Sequence, residues 1–141
     1  MHETIVMIEK LDAPLEKVWS ALTEARELKQ WYFDIPDFSL DLNHVFNFYE
    51  PGGENKFHHQ GEILEVIPRE KLKYSWGYPE FTKDHTIVCW ELKARGEHTL
   101  LTFTHKGLEN FKHLGEGFSL SSFQGGWKAI IEDSLKTYLE K

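Results

Sequence analysis

Cysteine is nearly absent from this sequence: Cys89 is the only one, so no intrachain disulfide can form and a cysteine-built metal site is excluded. Long apolar runs are missing too. No stretch approaches the roughly eighteen consecutive apolar residues that a membrane-crossing helix needs. The start, MHETIVMIEKLDAP, has neither the basic residues nor the apolar core of a secretory signal, so a cytoplasmic location and no membrane insertion are expected. Lys and Arg nowhere form a run, and the net charge of -7 argues against a nucleic-acid partner, whose phosphates demand clustered basic residues.

Several catalytic signatures are also lacking. There is no Gly-x-Ser-x-Gly elbow for a nucleophilic serine and no inward-facing pair of carboxylates for acid/base work on sugars. Gly115-Glu116-Gly117 and Gly125-Gly126 have no lysine of a phosphate-cradling loop, and they read better as flexibility at a cavity mouth. His58 and His59 are adjacent, so on a strand they point to opposite faces and do not share a metal ion. No metal site and no cofactor are expected.

What is present is apolar and aromatic. A length of 141 residues with 40% hydrophobic content suits one domain, residues 1–141, around one core. Aromatics reach 14%, with ten Phe, five Tyr and five Trp, enough to line a cavity as well as fill a core.

The periodicity changes along the chain. Thr4 to Lys10 read as a strand running into Asp12-Ala13-Pro14, where proline suits the first turn of a helix. Val18, Trp19 and Leu22 then share a helical face, and a second short helix is expected over Ala25 to Gln30. From Ile35 to Lys106 the pattern alternates. Turn signals at Leu42-Asn43, Pro51 to Asn55, Pro68 to Glu70, Gly77 to Pro79 and Arg95 to Glu97 leave strands near Val45 to Glu50, Lys56 to Ile67, Lys71 to Trp76, Asp84 to Ala94 and His98 to Lys106. Gly107 to Gly117 is loop-like. Ser121-x-x-Gln124 then has the form of a capping box, and Trp127, Ile130, Ile131, Ser134, Leu135 and Tyr138 recur at helical spacing to form one long helix. Its apolar stripe needs the aromatic face of the sheet as partner. The expected fold is α+β: a curved antiparallel sheet wrapped around a long C-terminal helix, with two short helices after the first strand.

Ala13-Pro14-x-x-x-Val18-Trp19-x-Ala21-Leu22-Thr23, Gly61-x-Ile63-x-Glu65-Val66-x-Pro68, Leu72-x-Tyr74-x-Trp76, Thr86-Ile87-Val88-x-Trp90, Leu101-Thr102-Phe103-Thr104-His105-x-Gly107 and Gly126-Trp127-x-x-x-Ile131 follow one another in this order. In these segments the chain resembles the START-related SRPBCC superfamily, the helix-grip proteins. Within that superfamily it is most similar to the domain like the C-terminal part of the activator of heat-shock protein 90 ATPase. The resemblance implies the helix-grip fold and a family of carriers, cyclases, hydratases and co-chaperone domains. It leaves function open between ligand binding, cyclase- or hydratase-like catalysis and a stress-response module with a chaperone or a second copy of the chain as partner.

By alternation and helical phase, Trp31, Phe46, Phe48, Tyr74, Trp76, Trp90, Phe103 and Trp127 should converge between sheet and long helix, with Ile131 beside them. A concave apolar wall of this kind suits a small apolar or amphipathic molecule. His105 falls inward, and Tyr74 and Ser134 are further polar contacts; an imidazole there either orients a ligand carbonyl, acts as a general base near neutral pH, or caps backbone groups at a strand end. Ligand binding without catalysis is the leading expectation, and Cys89, on the polar side of its strand, has no part in it.

Overall fold

The computed structural model describes residues 3–33, 35–49, 58–115 and 118–140. Six strands form one antiparallel sheet: β1 Thr4–Leu11, β2 Val45–Tyr49, β3 His58–Ile67, β4 Lys71–Gly77, β5 His85–Arg95 and β6 His98–Lys106, in the spatial order β1-β6-β5-β4-β3-β2. The two short helices, α1 Leu15–Thr23 and α2 Ala25–Trp31, follow β1 as expected. The C-terminal helix runs from α3 Leu120–Lys128 through a π-helical turn, Ala129–Leu135, to α4 Lys136–Leu139. This is the expected helix-grip arrangement. The expected turn at Pro51 to Asn55 lies outside the described residues, as do Glu50, Lys56 and Glu116-Gly117.

Alternation builds the inner face. Phe46 and Phe48, Leu72, Tyr74 and Trp76, Val88, Trp90 and Leu92, and Leu101, Phe103 and His105 are all buried, while Lys73, Glu91 and Thr104 lie on the wetter outer face. Gly61 sits opposite Phe46, and a β-carbon there would come within 2.5 Å of both the Phe46 ring and the Ser75 carbonyl oxygen. Only glycine lets β3 pass so close. Further along β3, between Ile63 and Glu65, a register shift interrupts the β3–β4 pairing.

The short helices close one end of the sheet. Pro14 is the N-cap of α1 rather than its first helical residue, and Val18, Ala21 and Leu22 are the buried stripe. Thr99 donates its hydroxyl proton to the Ala13 carbonyl at 2.8 Å, and the Trp31 indole N–H reaches the Ala21 carbonyl at 2.8 Å. These bonds pin α1 and α2 to each other and to β6.

The sequence differs from the structure at three points after β6. The segment expected as loop contains a 3-10 helix, Leu108–Leu114, because Leu108 and Phe111 are both fully buried and need a compact turn to reach the core. The helix start lies two residues before the expected Ser121: Ser119 keeps an extended backbone and its Oγ accepts the Ser122 N–H. Finally, the long helix is not α-helical throughout. Its buried residues Trp127, Ile131, Leu135 and Leu139 repeat every four positions, whereas an α-helix has about 3.6 residues per turn and would carry such a stripe round its axis. The wider π turn winds the stripe back and keeps all four on the buried side, against the sheet and the two short helices. Burying each contributes roughly 1.5–3 kcal/mol.

Candidate functional site

Between the sheet and α3 lies a partly open cavity of about 300 Å³, lined by Phe33, His59, Trp76, Tyr78, Phe118, Ser122, Phe123, Gly126, Trp127 and Ile130. Trp76 and Trp127, only 5% and 2% exposed, are its deep end; their rings meet at 5.2 Å and 62°. Phe33 and His59 stack on one side at 5.9 Å. Tyr78 continues this wall from His59, its ring 4.9 Å away, and meets Phe118 edge to face at 4.9 Å. The Trp76 indole N–H donates to the Tyr78 hydroxyl at 3.0 Å, holding two lining rings together.

His105 organises the deep end from behind. An indole N–H can only donate, so the Trp127 N–H at 3.0 Å makes His105 Nδ1 an acceptor and leaves the ring proton on Nε2. Nε2 then donates to Thr86 Oγ1 at 2.7 Å, and the Thr86 hydroxyl donates onward to the Trp76 carbonyl at 3.1 Å. Both ring nitrogens are occupied, the residue is fully buried, and burial pushes its pKa down to about 3. His105 is therefore neutral and fixes the orientation of Trp127. It does not line the cavity, so a role as general base has no geometric support here.

The other expected site residues divide cleanly. Trp76 and Trp127 line the cavity. Trp31, Phe46, Tyr74 and Trp90 surround a much smaller void of about 10 Å³ at the end covered by α1 and α2, room for about one water. Phe103 packs on Trp90 at 4.7 Å and on Trp127 at 4.4 Å. Phe48 stacks on His59 at 4.6 Å, behind the wall. Tyr74 accepts the Trp90 indole N–H at 2.9 Å, and burial raises its pKa beyond any ordinary ionisation. Ser134 donates to the Trp31 carbonyl, and Ile131 is core, its neighbour Ile130 taking the lining position.

Phe33, Tyr78, Phe118 and Phe123 did not stand out in the sequence because they lie outside the regular alternation, in connections and at the helix start. His59 was readable: it shares a strand face with Gly61 and Ile63, and it points inward while His58 bonds Asn47 on the opposite face. Cys89 lies on the outer face, its Sγ 3.6 Å from Glu91, with burial raising its pKa to about 11. Among the described residues no group of three metal-binding side chains occurs, and no helix is long and apolar enough to cross a membrane.

The family model of the Activator of Hsp90 ATPase homolog 1-like proteins matches residues 12–140. The chain belongs to this family. No curated protein matches it significantly. Among solved structures, the family member is similar to CalU16 from Micromonospora echinospora, with 26% identity and a TM-score of 0.74 over 96% of this chain and 75% of that one. It is similar in fold to DynU16 from the dynemicin biosynthetic locus, at 22% identity and TM-score 0.80, covering 99% of this chain but 48% of DynU16. The Aha1 dimer from Colwellia psychrerythraea is a third fold relative, with 22% identity, TM-score 0.75, and 97% and 96% of the two chains covered.

Proposed function

We propose that this protein binds a small apolar molecule, without chemical change, in the cavity between Trp76, Trp127 and the Phe118–Phe123 segment. The carrying observation is the cavity itself: concave, of about 300 Å³, at the lower end of ordinary ligand pockets, and walled by aromatic rings with few polar groups. Affinity comes from burying apolar surface at roughly 25 cal/mol per Å², less the cost of ordering the guest. The deeper rings expected at the site, from Trp31 to Phe103, support the wall from behind. The proposed setting is the cytoplasm, where the raised pKa of Cys89 keeps its thiol protonated and inert.

Titration with the uncharged fluorophore N-phenyl-1-naphthylamine, read by quenching of tryptophan emission, tests the reading. Saturation with one site per chain is expected; a linear, non-saturating response contradicts it.

A second reading, self-association, is favoured by β1. It is an edge strand, and its outward side chains Val6 and Ile8 are 60% and 63% exposed. A fold relative is a dimer. Pairing of β1 with β1 of a second copy, with Val6 against the partner's Ile8, would cover both. Sedimentation equilibrium distinguishes a dimer from a monomer.

A further inference from the structure

We infer that the guest is an uncharged, flat aromatic molecule of two or three rings, not an acyl-chain lipid; this rests on the pocket reading above and names its ligand class. Three observations on the cavity point the same way.

The first is charge. No Lys, Arg, Asp or Glu is among the described lining residues, and the imidazole of His59 is packed among the rings of Phe33, Phe48, Trp76 and Tyr78, so an ionised group carried into the cavity would be desolvated with no permanent counter-charge. A net charge of -7 adds a general bias against anions. A fatty-acid carboxylate is therefore a poor fit, while a hydroxyl or carbonyl at the exposed rim near Ser122 stays solvated.

The second is the chemistry of the wall. Among the described lining residues Ile130 is the only aliphatic side chain larger than methyl, and their remaining apolar surface is mainly ring faces and edges. Aromatic pairs gain beyond simple area burial through the complementarity of ring face and ring edge, and an alkyl chain collects only the area. The rings are already held at the angles such contacts need, since His105 fixes Trp127 and Tyr78 fixes Trp76.

The third is depth. Beyond Trp127 the interior is closed: Trp127 meets Trp90 at 5.9 Å and Phe103 at 4.4 Å, and the void past them is about 10 Å³. A long chain has nowhere to thread. A short, broad molecule fills the space available.

The test uses the purified full chain and three probes: 1-aminoanthracene, followed by its own fluorescence, with 1-dodecanol and dodecanoate as competitors. Saturable binding of 1-aminoanthracene is expected, about ten-fold or more tighter than dodecanoate, with 1-dodecanol between them. Gly126→Phe should weaken the arene by about ten-fold or more. Its side chain enters at the rim, where a β-carbon meets nothing within 4 Å, so the fold is kept; circular dichroism checks this, and Ser122→Phe is the second blocking variant. Binding of dodecanoate or dodecanol as tight as the arene overturns the ligand class and leaves the pocket standing. Arene binding untouched by both blocking variants overturns the site. No saturable binding of any probe overturns the pocket reading, and the class with it.

Discussion

The two ends of the inner sheet face have the same kind of residues and opposite packing. At the α1–α2 end, Trp31, Tyr74, Trp90 and Phe46 close around a void of about 10 Å³; at the α3 end, Phe33, Trp76, Tyr78, Phe118 and Phe123 leave about 300 Å³. The difference lies in what covers the rings. α1 and α2 are tied to the sheet by Thr99–Ala13 and to each other by Trp31–Ala21, so the rings beneath are clamped. The α3 end is covered by the first turns of α3, where Ser121, Ser122, Gln124, Gly125 and Gly126 are all exposed and bring little side-chain mass inward. Aromatic content alone therefore does not make a pocket; the covering element decides whether rings interlock or stand apart. Trp127 is the partition between the two.

This comparison can be broken by substitution. Trp90→Ala, in the clamped end, should cost about 3–5 kcal/mol in urea unfolding, since the cavity it leaves cannot collapse. Phe118→Ala, at the open end, should cost well under half as much while weakening any guest. Equal losses would mean that the two ends are packed alike.

Next in size comes the pH response of the residue that holds the partition. The folded pKa of His105, about 3, is below its ordinary value of 6.5, so as pH falls the unfolded chain takes up this proton first. The stability is fully present above pH 6.5 and is lost between about 6.5 and 3, with this one group contributing a slope of up to about 1.4 kcal/mol per pH unit. Urea midpoints at a series of pH values measure the slope, and ring NMR signals of His105 that titrate near 6.5 would contradict the buried, fully bonded imidazole. Gly61→Ala should cost roughly 1–3 kcal/mol by calorimetry, because Phe46 and the Ser75 carbonyl both have to give way. The smallest effect is expected from Ile8→Lys on the outer edge: within about 0.5 kcal/mol in folding stability, with any self-association lost.

The sequence made the clamped end legible and the open end much less so. Period-two alternation names Phe46, Tyr74, Trp90 and Phe103 as inward residues, and four-residue spacing names Trp127 and Ile131. Neither pattern says how far apart the layers stand. That depends on connections, where Phe33, Tyr78 and Phe118 lie and where no periodicity constrains a side chain. The π turn was hidden for a related reason: a repeat of four reads as helix, and the winding that keeps it on one face becomes visible only when the sheet beneath is in place. His105 shows the limit of residue-by-residue reading. Its inward position followed from alternation, but its role depended on Thr86 and on the indole of Trp127, partners nineteen and twenty-two positions away.

The most direct test follows the five tryptophan indole N–H signals by NMR during titration with 1-aminoanthracene. Saturable shifts at Trp76 and Trp127, with Trp31 and Trp90 nearly still, are the predicted result. Shifts spread evenly over all four, or none at all, would contradict a guest held at the open end.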